Sequence, residues 1–430
     1  MNMAERVYDE NGRLIFTEEM REEYTVLIPQ MAPYYFTYFL DAAISEGYKA
    51  ELLTTDDYAL IHEGMKYSHN DICVPAMLVI GQFIDALKKK GYDADKVALV
   101  ITQTGGGCRA SNYIALLRKA LAKAGYEHVP VISLNANGFE PNPGFKVTPR
   151  LFHKLHDALV FGDVVMGLVN QIRPYEVEPG DTDRAREDVD KMLEAYFMHK
   201  KTFTWRRHTK MTKRIIERFS EVRMKPLNKP KVGIVGEIYV KYSPLGNNRL
   251  EETLEEAGCE VVVPPLYDFF LYSFDSRAHD IKRYGGPWKE RLALRVIVAY
   301  IEHRRKKARK MMKKAGFAVS IPYKALKRLV DGFIDIGTHT GEGWLLTAEM
   351  IDLIKHGAPN IVCTQPFGCL PNHIVGKGMI KKLKKHYPES NVVTIDYDTS
   401  ASKVNQNNRI HLMVSNAKRR LQEDTRETSL

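Results

Sequence analysis

The chain has 430 residues, of which 44% are hydrophobic and 27% are charged, and its formal net charge is +10. This length allows two or three domains with ample cores, and the composition is that of a globular protein rather than a disordered one. Five cysteines in so long a chain argue against a disulfide scaffold, so core residues, reactive thiols or metal ligands are expected instead.

No targeting or membrane segment is predicted. The N-terminal sequence MNMAERVYDENGR is polar and mixed in charge, unlike a signal peptide. The longest apolar run, at 158–169, is too short to cross a bilayer and contains Asp163. We therefore expect a soluble, cytoplasmic protein with no membrane partner.

Short apolar strands alternate with amphipathic helices in the first third of the chain, which is typical of an α/β lobe with a mostly parallel sheet. Strands are predicted at 24–30, 49–55, 96–104 and 129–136. Helices are predicted at 33–47, 74–91 and 109–125. Residues 1–146 are assigned to this first lobe.

The remainder of the chain divides into a helical connector and a second α/β lobe. Residues 147–228 carry no strong strand signal and are predicted to be a helical connector or cap. The strand–helix alternation resumes at 229 and continues to 422, interrupted by a mostly helical insertion at about 266–330. Residues 423–430 are predicted to be a disordered tail.

A dense run of positive charge at 303–314 continues a helical pattern that begins near Trp288. The plainest interpretation is the solvated end of a long helix, because exposed charge runs usually solubilise a protein. The alternatives are docking to an acidic protein partner and binding of nucleic acid. No aromatic-interleaved RNA motif, zinc finger or helix-turn-helix pattern favours nucleic acid.

Three cysteines lie on loops next to predicted helices. Cys108 follows a strand and the glycines 105–107, Cys369 follows a strand and the turn at Gly368, and Cys73 directly precedes a helix. Such positions place thiols at the carboxyl ends of parallel strands, where open α/β folds bind ligands. A helix N-terminus also favours the thiolate over the thiol. The three thiolates are therefore predicted to converge between the lobes, where they could share a metal cluster.

The other two cysteines have plainer interpretations. Cys259 precedes an apolar strand and is interpreted as a small buried hydrophobe. Cys363 lies inside a predicted strand and is interpreted in the same way, with a spare or exchangeable metal ligand as the alternative. Its spacing from Cys369 is not that of a C-x-x-C pair, so neither a zinc knuckle nor a thioredoxin-type redox site is indicated.

Two further features are candidates for binding or catalysis. The loop GTHTGEG at 337–343 could offer backbone N–H groups to an anion, or could be a purely structural turn. His373 and Lys377, beside Cys369, are candidate catalytic groups or simply surface residues. The sequence GGGCRA does not match the dinucleotide-binding fingerprint, and no P-loop is present.

At these residues the chain resembles the 2-hydroxyacyl-CoA dehydratase superfamily, in its acyl-CoA dehydratase activase-related branch of dehydratase-like iron–sulfur proteins. The matching pieces run in order over nearly the whole chain: DICVPA around Cys73, TGGGCRASNY around Cys108, GEGWLLTAEM, QPFGCLPNHIVGKG around Cys369, and IDYDTSASKVNQNNRI. The resemblance implies two Rossmann-like (flavodoxin-like) parallel-sheet lobes with a [4Fe–4S] cluster between them. It also implies that Cys73, Cys108 and Cys369 are the ligands and that one iron keeps an open site.

The resemblance further implies how such a protein works. A separate ATP-hydrolysing activator with its own cluster supplies one electron at low potential, and this chain carries no kinase-like ATPase segment of its own. Backbone N–H groups of Gly106, Gly107 and Gly368 are the expected hydrogen-bond donors to the cluster. Helix 303–314 is the candidate docking surface for the activator. The number of well-placed cysteines does not suggest the larger double-cubane cluster of a related group.

Three functions remain open at this point. The chain could be an oxygen-sensitive lyase or oxidoreductase subunit that performs dehydration or reduction on a small molecule such as an acyl-CoA. It could instead be a non-catalytic cluster-binding or electron-relay subunit of a larger complex. The third alternative is a binding protein with no cluster that holds a small anion in the cleft. Pairing with a like or paralogous subunit is expected of the family.

Overall fold

Two four-stranded, all-parallel sheets form the centres of two lobes, as predicted. The structure is a computed structural model, and it describes residues 6–69, 71–89, 91–104, 106–135, 140, 142–199 and 204–428. Each sheet is flanked by helices, because parallel strands are joined by crossover connections that pack on its faces.

The first sheet has the order β2-β1-β3-β4. Its strands are β1 Thr25–Pro29, β2 Lys49–Leu53, β3 Val97–Gln103 and β4 Val131–Asn135. Its helices are α1 Glu18–Glu23, α2 Pro33–Ile44, α3 Leu60–Tyr67, α4 Val74–Lys89 and α5 Tyr113–Ala124. Strand β3 is buried over its first five residues, so the apolar run VALVI marks the centre of the lobe.

The second sheet repeats this order as β6-β5-β7-β8. Its strands are β5 Lys231–Gly236, β6 Glu260–Val262, β7 Asn360–Pro366 and β8 Asn391–Tyr397. The helices around it are α9 Ile238–Tyr242, α10 Leu250–Glu256, α14 Gly343–Lys355, α15 Leu370–Val375, α16 Ile380–His386 and α17 Lys403–Thr428. Helix α17 therefore continues through 423–428, so the disordered tail predicted from 423 is wrong for those residues.

The connector and the insertion are helical, as predicted. The connector contains α6 Pro149–Ile172, α7 Asp181–Met198 and α8 Trp205–Ser220, and the insertion contains α11 Leu266–Tyr284, α12 Trp288–Lys314 and α13 Tyr323–Arg328. Helix α6 lies very close to α2: a Cβ atom at Gly162 would come within 2.3 Å of the Tyr35 ring. Glycine at this position therefore allows the connector to pack against the first lobe.

The two lobes contact each other directly. Tyr239 and Leu245 of the second lobe belong to the same buried apolar cluster as the core of the first lobe. The Tyr58 hydroxyl donates to the Asp398 carbonyl at 3.2 Å, and Arg249 forms an ion pair with Asp56. These contacts set the width of the cleft between the sheets.

The basic helix is only partly the solvated element predicted from its charge run. Arg304 and Arg305 are each only 4% exposed. Arg304 donates to Asp157 at 2.6 Å and Arg305 donates to Asp268 at 2.6 Å. The prediction of a solvated run is thus wrong for these two residues, because acidic groups lie opposite them in the core.

None of the described helices is both long enough and apolar enough to traverse a bilayer.

Candidate metal centre between the lobes

The strand order places a binding crevice at the same point of each lobe. In both sheets the first strand lies between the second and the third, so the crossovers on its two sides go in opposite directions. In open α/β sheets ligands bind at this switch point, beyond the carboxyl ends of the strands. The residues that follow β3, β5 and β7 include Cys108, Glu237 and Cys369. The topology therefore assigns a cysteine from each lobe to the crevice.

Cys73 lies at the start of α4 and is partly buried. Its Sγ lies 2.7 Å from the hydroxyl oxygen of Tyr113, the first residue of α5. Its carbonyl accepts from Met77 N at 3.2 Å, which continues the helical hydrogen bonding back to the cysteine. The thiol is thus held at the joint between two helices of the first lobe.

Cys108 follows a turn in which Gly106 has a φ of +82°, a conformation that favours glycine. Its Sγ accepts from Ala110 N at 3.5 Å and caps the short 3₁₀ turn before α5. A Cβ atom at Gly107 would lie 3.5 Å from Thr340 Cγ2, so this turn faces the GTHTGEG loop of the second lobe. Gly105 lies outside the described residues.

Cys369 follows β7 and precedes α15. Its N–H donates to the Pro366 carbonyl at 3.1 Å, and its carbonyl accepts from His373 N at 3.0 Å. Gly368 adopts a φ of +70° with open space where a Cβ atom would be. The loop 337–343 packs against the first turn of α15, since a Cβ atom at Gly341 would come within 2.9 Å of Pro371.

The three thiols lie close enough that charge on one affects the others. Burial is the main cause that raises the pKa of each, to about 11 for Cys73. Charge on Cys108 raises the pKa of both Cys73 and Cys369 further. The prediction that the helix N-termini favour the thiolates is therefore wrong, because burial has the larger effect on the pKa of each thiol. A bound cation would favour the thiolates again.

The three sulfur atoms do not all lie within 4.8 Å of one another, as the ligands of a single ion would. The sulfur ligands of a single tetrahedral ion lie much closer together than this, because all of them bind the same atom. The three thiols as they lie in the structure therefore do not form a site for a single ion.

Two carboxylates that the sequence reasoning missed lie beside the thiols. Glu342 Oε1 accepts from Ile238 N at 2.9 Å, and Glu237 Oε2 accepts from Val240 N at 2.8 Å. With the Asn372 amide oriented so that both of its polar atoms are satisfied, Asn372 links the two residues: its nitrogen donates to Glu342 Oε2 and its oxygen accepts from Glu237 N, both at 2.7 Å. The available signal was that Glu237 directly follows the buried strand β5, at the end where ligands bind.

The carboxylate pair holds a proton near neutral pH. Burial, followed by repulsion from Glu342, raises the pKa of Glu237 to about 8, and burial also raises the pKa of Glu342. Lys241 opposes both shifts, but it is buried in an ion pair with Glu349 at 3.0 Å. The pair can therefore donate or accept a proton beside the three thiols. Two carboxylates also make this part of the cleft unfavourable for an anion.

This raised pKa predicts a pH-dependent stability. Between about pH 5 and pH 8 the folded chain keeps a proton on Glu237 that the unfolded chain has lost, so the free energy of unfolding falls as the pH rises. We expect Glu237→Gln to remove up to about 1.4 kcal/mol of that decrease for each pH unit within this window. Urea unfolding at several pH values measures it. Other buried carboxyls with a raised pKa, such as Glu349, would still contribute to the pH dependence of the free energy of unfolding in this variant.

The control for this prediction is Glu252→Gln, since Glu252 is about half exposed on α10. We expect Glu252→Gln to leave the pH dependence unchanged. An equal slope in the parent chain and in Glu237→Gln would contradict the assignment of the proton to this pair.

The other residues predicted for the site are either buried in a core or in contact with polar side chains of the second sheet. Cys259 and Cys363 are both fully buried, Cys363 within the core of the second lobe, and burial raises the pKa of Cys363 to about 12. His373 Nδ1 contacts the Gln365 amide at 3.4 Å, and Lys377 forms an ion pair with Asp396 at 3.5 Å. The two catalytic candidates thus contact Gln365 and Asp396 on the second sheet.

Exposed apolar side chains surround the Cys369 loop. Phe367, Leu370 and Ile374 are all more than half exposed. Single exposed apolar residues are common, but several around one loop indicate a binding surface. This apolar rim lies next to the thiol of the second lobe and could contact a substrate or a protein partner.

The comparisons with known proteins leave the family open. No protein-family model matches the chain, and no curated protein is significantly similar to it. The function of the chain is therefore inferred from the geometry of the cleft and from the resemblance of its motifs.

Proposed function

We propose that this chain is an iron–sulfur protein of the 2-hydroxyacyl-CoA dehydratase type, with one [4Fe–4S] cluster held by Cys73, Cys108 and Cys369. The observation that supports this most is that partly buried thiols from both lobes lie beyond the carboxyl ends of the strands, with Cys108 Sγ accepting from Ala110 N and Cys73 Sγ hydrogen-bonded with the Tyr113 hydroxyl. Thiolates are the usual ligands of such clusters, and hydrogen bonds to sulfur tune the potential.

A cluster bound in this way would supply one-electron chemistry at low potential, at an iron with no protein thiolate. The proposed reaction is radical dehydration or reduction of a small molecule, such as an acyl-CoA. The chain's own part is to exclude water, orient the substrate and move a proton. Glu237 and Glu342 are the proposed proton donor and acceptor. The exposed rim formed by Phe367, Leu370 and Ile374 suits an apolar segment of the substrate.

Purification without oxygen, followed by iron and sulfide analysis, tests the proposal. We expect about four irons and about four sulfides per chain, with a broad visible absorption band that oxygen bleaches. A chain that binds no iron after reconstitution would contradict the proposal and favour a cluster-free binding protein. An EPR signal that changes on addition of a small acyl-CoA would favour catalysis over electron relay.

We further propose that helix α12 receives the electron-donating activator. Its first half exposes an apolar stripe at four-residue spacing, Trp288, Leu292, Val296 and Tyr300, each more than 40% exposed. Its second half exposes lysines, among them Lys306 and Lys310. Positive charge beside an apolar stripe suits a partner that is acidic around an apolar contact.

Charge reversal tests this docking surface. We expect Lys306→Glu with Lys310→Glu to weaken activator binding at low salt by about tenfold, because steering by opposite charge is lost. Added salt should weaken the parent complex in the same direction. The matched control is Lys384→Glu with Lys385→Glu, the same charge change on exposed lysines of α16. Equal binding by both double variants would contradict docking on α12.

A further inference from the structure

A second group of metal-binding side chains lies outside the cysteine cleft. His279 and Asp280 lie near the end of α11, and His339 lies on the loop that leads to Glu342. Their ligand atoms, one from each residue, all lie within 4.8 Å of one another, and among the described residues no other group of three or more His, Cys, Asp or Glu meets this criterion. His339 Nε2 is 2.8 Å from Asp280 Oδ1, and His279 Nδ1 is 4.0 Å from the same oxygen.

One of these atoms lacks a hydrogen-bond partner. His279 Nδ1 is buried and makes no hydrogen bond within the described part of the chain. A buried polar atom without a partner costs about 1–3 kcal/mol, so such atoms are rare unless something else satisfies them. A metal ion bound to this nitrogen would do so. An ordinary His339–Asp280 ion pair would explain the 2.8 Å contact but would leave His279 unsatisfied.

The ligand types select the kind of ion. Two imidazoles and one carboxylate suit Zn²⁺ and Fe²⁺, whereas Mg²⁺ and Ca²⁺ prefer oxygen ligands alone. The three side chains are between 18% and 28% exposed, so an ion can enter from solvent and keep water in its open positions. Arg283 lies nearby, but its guanidinium is paired with Asp335 at 3.4 Å.

We propose that His279, Asp280 and His339 bind one divalent transition-metal ion, with Zn²⁺ as its first candidate. The ion would join the end of α11 to the loop 337–343. That loop carries Thr340, which faces Gly107, and leads to Glu342, which accepts from Ile238 N just beyond the end of β5. Metal bound here would hold one wall of the cleft in place. The proposal does not depend on the iron–sulfur cluster, since none of its ligands is a cysteine.

Titration of the full-length, chelator-treated chain with Co²⁺ tests the proposal. Cobalt bound to thiolates gives an intense charge-transfer band that nitrogen and oxygen ligands do not give, so the two sites are separated in one spectrum. We expect one Co²⁺ bound without that band, and Zn²⁺ should displace it. His339→Ala and His279→Ala should each weaken this binding by more than about tenfold, since even outer-shell changes cost that much.

Asp280→Asn keeps the side-chain volume and should also weaken cobalt binding. Because this variant changes the shape of the site so little, weaker binding in it would not be explained by misfolding. His411→Ala, at an exposed histidine of α17, is the matched control and should bind as the parent does. Circular dichroism checks that each variant is folded. The proposal is overturned if the parent shows cobalt only on thiolates, or if folded Asp280→Asn and His339→Ala bind as tightly as the parent.

Discussion

A Cys108→Ala chain purified without oxygen is expected to lose nearly all of its iron and sulfide. Charge on Cys108 raises the pKa of both Cys73 and Cys369, so the proposed cluster would depend on all three thiols. Removal of the Cys108 thiol would leave only one thiolate from each lobe, and two thiolates are too few to hold the proposed three-cysteine cluster. Iron and sulfide per chain, with the visible absorption spectrum, measure the loss.

The matched controls are Cys259→Ala and Cys363→Ala. Both sulfur atoms are buried in apolar cores, so these variants should keep the full cluster and lose only the small stability expected of a missing buried atom. A Cys108→Ala chain with its iron content intact would refute this ligand set. Loss of iron in Cys363→Ala alone would instead favour the alternative in which Cys363 is the ligand.

The largest expected loss of stability is for Asp157→Ala. Asp157 is fully buried on α6 and accepts from Arg304 at 2.6 Å and from Tyr196 at 2.6 Å, and it lies 2.9 Å from His208 Nδ1. Burial would raise its pKa, but His208 and Arg304 outweigh burial and hold the pKa below its ordinary value. Removing the carboxylate leaves the Arg304 charge buried without its partner, which costs about 3–5 kcal/mol.

Urea unfolding of the parent and the variant measures this loss. Adding Arg304→Met to Asp157→Ala should recover part of the stability, because the uncompensated charge is then removed as well. The control is Lys310→Ala, at an exposed lysine of α12, the helix that carries Arg304. It should change the free energy of unfolding by less than about 0.5 kcal/mol. A similar small change in Asp157→Ala would mean that the buried contacts contribute little.

Both sheets could be predicted because their strands carry local signals. Runs such as VALVITQ and NIVCTQP are apolar along their length, as strands buried on both faces must be. The turns at Gly106 and Gly368 then mark where these strands end, and a cysteine follows each turn. The positions of Cys108 and Cys369 beyond the carboxyl ends of β3 and β7 followed from these signals, and that is the end of a parallel sheet where ligands bind.

Contacts between distant residues could not be predicted in this way. Ile238 and Glu342 are 104 residues apart in the chain but form a hydrogen bond in the cleft. Asp280 and His339 are 59 residues apart and also meet. No periodicity links such residues, because their meeting depends on how the insertion folds over the second sheet.

The apolar periodicity and the glycine turns of this chain were sufficient to predict its α/β lobes and the positions of its loop cysteines, since both signals depend on a few neighbouring residues. The ionisation of its side chains depended on their surroundings in the folded protein. The thiols of the cleft are protonated more readily than the helix N-termini suggested, because burial and two carboxylates outweigh the helix dipoles. Arg304 and Arg305 are buried although their sequence predicts an exposed charged run. Their partners Asp157 and Asp268 lie opposite them only when the helices pack together, so the sequence could not show these ion pairs.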